Sequence, residues 1–592
     1  MKKMIVEIGK GIAFNGKHIY FIFLVSFKEI RNIISGEDRN KENGIFTFGY
    51  TVYHTRRDQE KIILMKRRTI GVDRDLYVAL QYADQLIAVM KMRCEALSAI
   101  RDTAVMRRFE IDFLMIHTSS YLTFFLLLYT IVIEKSTEMR YNRIITNKIG
   151  GSMTSIKIDL KKSVKPMKPM HGGGQPPLGG KNMTEYFHYV TEAGIPFSRL
   201  HDVGGAFGGG RFVDVPNLFR NFDADENDPA NYDFTFTDHL LKALIEANVE
   251  PYYRLGITIE NQAYIKPYHT FPPKNPEKWA RICEHIIRHY TEGWADGYYY
   301  NIRYWEIWNE PEVQNKMMWC GTDEEYYHLY DVTAKHLKAC FPHLKIGGYA
   351  SCGFYAIAPK VKIDPETNLP GTIPPSDHEN NLMHFFYGFF DYIKKHNSPI
   401  DFFSWHSYAD VKRVSIMDEW LHNELAKLGY GGLETHLNEW DPYAKEFGTA
   451  HHAAEVAAMM IALQHGHTDL CCIYDMRTNT APYCPLFDIK THEPIHGYYS
   501  MVAFNTLYRL GNQVELTVDT EDLYAVAASD GKYHALMVSN LTGSVQSLTL
   551  EGVDLAHAHI SIIDDRHLLS WAPNANTIEN NTVMLIEWQA SK

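Results

Sequence analysis

Two short segments of this chain carry carboxylates in a setting suited to acid–base work. One reads Arg303-Tyr-Trp-Glu-Ile-Trp-Asn-Glu-Pro-Glu312 and the other Thr435-His-Leu-Asn-Glu-Trp-Asp-Pro442. Each reads as a strand that ends on a Glu and is stopped by a nearby Pro, which has no N–H to give to a ladder. Glu310 and Glu439, facing each other from two strand ends, would supply what acetal cleavage needs. One carboxylic acid protonates the leaving oxygen while a carboxylate meets the oxocarbenium-like centre. A lone Glu at a strand tip is usually a solvated loop residue. Two of them, both set among Trp, Asn and Pro, form a much stronger signal.

The elements that must position them follow from the apolar pattern. Short apolar runs cover Ser163–His171, Pro196–Asp202, Val249–Gly256, Ile302–Trp308, Leu344–Tyr349, Asp401–Tyr408, Glu434–Trp440 and Leu470–Met476. Helix-like segments separate them, and a last one spans His496–Leu510. Strands alternating with helices predict parallel βαβ units, and eight of them predict an α/β fold of the (β/α)8 TIM-barrel kind. In such a barrel the reactive groups sit at the C-terminal ends of the strands, which is where Glu310 and Glu439 fall. Past residue 510 short alternating segments separated by Gly, Asn and Asp predict an accessory β-sandwich. The expected division is 1–152, a basic N-terminal region; 153–163, a strand joining the sandwich; 164–510, the barrel; and 511–592, the sandwich.

Other rim residues are candidates for holding a sugar. His201 and His406 end the second and sixth strands, with Tyr408 close behind. Arg199 and Arg254 could keep a carboxylate ionised. Tyr474 ends the eighth strand and Trp440 follows Glu439, so either ring could stack on a sugar face. Glu306 lies four residues before Glu310 and reads as a buried structural carboxylate. For Glu310 to donate a proton near neutral pH its surroundings should raise its pKa, whereas Glu439 must stay ionised.

From about Met153 onward the chain resembles glycoside hydrolase family 39, which contains β-xylosidases and α-L-iduronidases. The resemblance rests on Phe197-Ser-Arg-Leu-His-Asp202, Trp305-Glu-Ile-Trp-Asn-Glu-Pro311, Tyr327–Lys335, Lys345-Ile-Gly-Gly348 and Leu437-Asn-Glu-Trp440 taken in order. It implies a retaining glycosidase with Glu310 as acid/base and Glu439 as nucleophile, working by double displacement on short oligosaccharides or glycosides. It also implies that Asn309 hydrogen-bonds the sugar 2-hydroxyl. β-Xylosidase-like specificity is the leading expectation, with β-glucosidase, β-galactosidase, α-L-arabinosidase and α-L-iduronidase types as relatives. A non-catalytic sugar-binding or sensor protein on the same barrel is the reading from another class.

Composition narrows the rest. The 592 residues are 45% apolar and 22% charged, with 13% aromatic, as expected of a globular protein rather than a disordered or collagen-like one. A net charge of −12 argues against nucleic acid as partner. That charge is uneven, with +8 on residues 1–150 and −20 on the remainder. The basic segment lies outside the resemblance and reads as a fusion or an upstream extension. Its apolar run Tyr121–Ile133 is 13 residues long, short of the roughly 20 that a membrane span needs. The eight Cys lack metal or disulfide spacing, which favours the cytoplasm. No cofactor or metal is expected, because Pro494 breaks the helix that His492-Glu-Pro-Ile-His496 would need to bind zinc. A carbohydrate substrate is the expected partner, and homo-oligomer formation is left open.

Overall fold

In a computed structural model of the chain the described residues are 152–590, apart from 202, 204–212, 258–269, 314–317, 364–369, 443–445 and 479–483. Four backbone strands are described before residue 72. Residues 1–138 and 139–592 are two separate compact units. In the first, Ile12–Phe14, Lys17–Leu24, Ile45–Arg56 and Gln59–Gly71 form an antiparallel sheet in sequence order. The run Tyr121–Ile133 lies outside the described residues. No described helix is long and apolar enough to cross a membrane.

The second unit contains a closed barrel of eight parallel strands. In chain order they are Gly172–Gly174, Phe197–Leu200, Glu250–Leu255, Tyr304–Ile307, Lys345–Ser351, Phe402–Ser407, Glu434–Trp440 and Leu470–Ile473. Helices follow the strands and cover the outside. Their starts are written in the sequence: Thr322 with Glu325 and Ser376 with Glu379 form reciprocal capping boxes. The barrel interior is layered. Phe197, Tyr252, Tyr304, Phe402, Leu470 and Cys472 form an apolar cluster of their own. Two residues further along their strands come Arg199, Arg254, Glu306 and Ser404, all buried. Inward positions recur every second residue, so each strand passes from an apolar floor to a polar mouth.

The first barrel strand differs from expectation. Residues 163–166 complete a long strand, Ser152–Pro166, of another sheet, and the barrel is closed by Gly172–Gly174. Glycine is a poor strand former and gives no apolar signal, but the packing demands it. A Cβ on Gly172 would lie 2.5 Å from the Cys471 carbonyl oxygen, and one on Gly173 would lie 2.4 Å from Met476 Sδ.

That other sheet has nine strands. Ser152–Pro166 lies inside it, antiparallel to Asn512–Val518 and parallel to Gln546–Glu551. The sheet curls around a second apolar cluster that includes Ile156, Val514, Leu536, Val538, Ile586 and Trp588. The accessory part is therefore one continuous curled sheet. The helix Ala450–His465 packs against its strands Leu523–Ser529, Tyr533–Asn540 and Thr582–Gln589. Thirteen of that helix's residues are buried, from Ala450 to Gln464. A helix apolar all round is one covered on every side, here by the barrel and the sheet.

Substituting Gly172→Ala should destabilise the fold by about 1–3 kcal/mol through overpacking against backbone. Gly432→Ala, where nothing lies within 4 Å of the added Cβ, should stay within about 0.5 kcal/mol. Thermal or denaturant unfolding of both variants checks this.

Candidate active site

Local backbone places the two glutamates. Glu310 follows the fourth strand with φ +44°, and Trp308 has φ +72°. Non-glycine residues in this left-handed region cost of order 1–3 kcal/mol and gather where geometry is over-determined. The Glu310 N–H donates to the Ala350 carbonyl at 3.1 Å, tying the loop to the fifth strand. On the seventh strand the register with both neighbours slips between Leu437 and Trp440. Strict alternation would send Asn438 and Glu439 to opposite faces. Instead both join one buried network, as a bulge that re-aims a side chain allows.

Arg199 is the hub of that network and is buried. Its Nε donates to Glu306 at 2.8 Å, Nη1 to Glu439 at 3.2 Å and Nη2 to Asn309 at 2.5 Å. Burial opposes its charge, but the carboxylates of Glu306 and Glu439 more than offset this and hold its pKa above the ordinary value. Glu306 also accepts from Asn438 Nδ2 at 2.6 Å. The second Glu439 oxygen accepts from the Tyr408 hydroxyl at 2.5 Å. Burial, and then the Glu439 charge, push the Tyr408 phenol well up, so it remains a donor.

Glu310 is held differently. His406 Nδ1 lies 2.7 Å from its Oε1 and 3.6 Å from Glu439 Oε2. One oxygen of each glutamate and this nitrogen all lie within 4.8 Å of one another. Burial pushes the Glu310 carboxyl up, but the His406 bond and charge, with the Cys352 thiol and Arg199, bring it below the usual range. This corrects the expectation of a raised value. The proton is set by the Glu310–His406 pair rather than by apolar surroundings. Glu310, Glu439 and His406 are ligand types that suit a divalent cation, yet both Glu439 oxygens are already engaged, one by Arg199 and the other by Tyr408.

The remaining candidates divide. His201 is buried with its ring 6.4 Å from that of Tyr474. Burial and the nearby Arg199, Arg254, His406 and Arg477 lower its pKa well below the ordinary value, so it is neutral. Tyr474 stands at the eighth strand's exit, its hydroxyl accepting from Arg477 Nη2 at 3.2 Å. Arg254 donates to Asp214 at 2.8 Å, both groups being fully buried, and this ion pair rather than Glu439 engages it. Trp440 is 0% exposed within the main apolar cluster. With no exposed ring face it packs the core and is not placed to stack on a sugar. Trp305 and Trp308 are likewise buried, with their Nε1 atoms bonded to the carbonyls of Ile302 and Met318.

Sequence reasoning passed over three neighbours. Asp475 pairs with Arg477 beside Tyr474, and burial raises its pKa to about 7 against the pull of that arginine. Glu312 accepts from the Cys352 N–H at 2.6 Å, and burial together with the Glu310 charge lifts it to about 8. Charged residues at the exit of an apolar strand, as in Tyr474-Asp-Met-Arg477, were the available signal. Removing the hub tests the network. Arg199→Met should strand Glu306 and lower stability by about 3–5 kcal/mol, read as a fall in Tm, with a smaller loss for Arg220→Met at the exposed pair with Asp233.

Comparison with known proteins fits this architecture. A family model for glycosyl hydrolases family 39 matches residues 201–460. A β-xylosidase of Caldicellulosiruptor saccharolyticus is 26% identical over 400 residues, covering 61% of this chain and 72% of that one. A β-xylosidase of Geobacillus stearothermophilus is 28% identical over 155 residues, 25% of this chain and 30% of that one. Among solved structures, a glucosidase from Croceicoccus marinus aligns at TM-score 0.60 with 17% identity, covering 75% of this chain and all of the other. A family 39 β-xylosidase from Caulobacter crescentus aligns at TM-score 0.54 with 17% identity, covering 74% of this chain and all of its own. These two likenesses speak to fold alone. The family match over residues 201–460 and the β-xylosidase relatives, carried on a closed (β/α)8 barrel, make this chain similar to glycoside hydrolase family 39.

Proposed function

We propose that the chain is a retaining glycosidase of β-xylosidase type, with Glu439 as nucleophile and Glu310 as acid/base. The observation that carries this reading is the approach of a Glu310 and a Glu439 oxygen within 4.8 Å at one rim. Retaining enzymes keep their carboxyl groups about 5–5.5 Å apart, whereas inverting ones leave roughly 6.5–9.5 Å for a water. Glu439, fixed by Arg199 and Tyr408, attacks the anomeric carbon as Glu310 protonates the departing oxygen. Glu310 then takes a proton from the water that releases the glycosyl-enzyme. Asn309 Oδ1 accepts from Arg199 Nη2, which leaves the Asn309 amide N–H2 to donate to a sugar hydroxyl. The xylosidase relatives support the pentose preference. The seven described cysteines are free, in keeping with a reducing cytoplasmic compartment.

Aryl β-xylosides and related aryl glycosides should be assayed with wild type and both variants. Glu310→Ala should lower kcat by roughly 10²–10⁴-fold on poor leaving groups, and Glu439→Ala should abolish turnover. Near wild-type rates in both would refute the assignment, as would an inverted first-formed anomer by NMR. The pH profile tests the pair. A general acid must be protonated, so activity falls as pH rises past its pKa. His406 holds Glu310 low; His406→Ala should therefore move the alkaline limb of kcat/KM to higher pH while lowering its maximum.

A further inference from the structure

Away from the barrel mouth, the helices Pro276–Thr291 and Asp323–Cys340 bring three metal-binding side chains together. His336 and Cys340 stand four residues apart on one helical face, and Glu284 reaches them from the neighbouring helix. Glu284 Oε2 lies 2.6 Å from His336 Nε2, and Cys340 Sγ lies 3.9 Å from the same nitrogen. One donor atom from each residue falls within 4.8 Å of the others. Zinc binds N and O ligands at about 2.0–2.2 Å and sulfur at about 2.3 Å, so donors around a tetrahedral ion are on the order of 3–4 Å apart. The Cys340–His336 spacing of 3.9 Å falls within that range, and the Glu284–His336 pair at 2.6 Å is a hydrogen bond that opens by a fraction of an ångström to admit the ion.

The surroundings favour such a site. Arg288 Nε bonds the other Glu284 oxygen at 2.7 Å, and its guanidinium lies 5.1 Å over the Phe341 ring. That outer hold fixes the carboxylate and leaves Oε2 turned toward His336, as partners behind a metal ligand do. All three candidate ligands are half-buried, so an ion can arrive from solvent.

We propose that Glu284, His336 and Cys340 form a binding site for a divalent cation of the zinc class. Thiolate and imidazole suit such an ion, whereas magnesium and calcium prefer all-oxygen cages. On binding, the metal–sulfur bond replaces the S–H bond and the thiol proton passes to water. The two helices precede and follow the fourth barrel strand, so the ion joins the supports on either side of the strand that leads to Glu310.

The test uses the full chain, stripped with chelator, kept reduced, and titrated with Co2+. One equivalent should bind with a thiolate-to-cobalt charge-transfer band, Zn2+ should displace it, and Tm should rise. Cys340→Ser should remove the band, and His336→Ala should weaken binding by more than about tenfold. Glu284→Gln, which keeps the side chain's shape, should also weaken it, and glycosidase activity should be unchanged in all three. The proposal is overturned if wild type gives no band, if the band survives in Cys340→Ser, or if the rise in Tm persists in the variants.

Discussion

A single guanidinium organises the mouth of this barrel. Arg199 is buried among groups that would each be costly to bury alone, and it satisfies three of them at once: Glu306, Asn309 and Glu439. Buried charge is tolerated only when paired and hydrogen-bonded. The network therefore constrains four strands together: the second by Arg199, the fourth by Glu306, the seventh by Glu439, and the sixth through Tyr408. Small shifts of any one strand would leave a charge exposed to apolar surroundings. Such a network fixes geometry more than it adds net stability.

The two glutamates illustrate how one rim sets two environments. Glu439 is surrounded by donors on both oxygens. Glu310 has the imidazole of His406 on one oxygen and stands one-fifth exposed. The imidazole spans both carboxylates, closer to Glu310 by nearly an ångström. Protonation of one member therefore cannot change without the others responding, as in any strongly interacting set of sites. Cys352 and Glu312 extend this set behind Glu310, so the electrostatics of the acid group depend on the fourth and fifth strands' loops as well as the sixth strand.

Much of this was legible in the residues. Short apolar runs between longer amphipathic ones announced the second to eighth strands, and Trp-Asn-Glu-Pro and Asn-Glu-Trp marked where the chemistry lies. The first strand was hidden because Gly172–Gly174 is selected for close approach and carries no side-chain pattern. The register slip on the seventh strand was hidden as well, since pairing with two neighbours decides it. Trp440 looked like a sugar platform from its place beside Glu439, yet its face of the strand turns it into the core. The lowered Glu310 carboxyl arises from His406, distant in sequence and adjacent only after the barrel closes. Arg254 showed the same limit: its charge was visible, but Asp214, which claims it, lay 40 positions away.

The strand Ser152–Pro166 comes before the barrel in the chain but finds its partners after it. Lys162 meets Glu515 across a separation of 353 positions, and the intervening segment contains the whole barrel. During synthesis this strand must wait, unpaired along both edges, until the ribosome has delivered nearly everything else. Loops of that span close slowly, and an idle β-edge is an invitation to other chains. The charged residues along it, Lys157, Asp159, Lys161, Lys162 and Lys165, read as safeguards for that interval, keeping a solitary ribbon soluble until its clasp arrives.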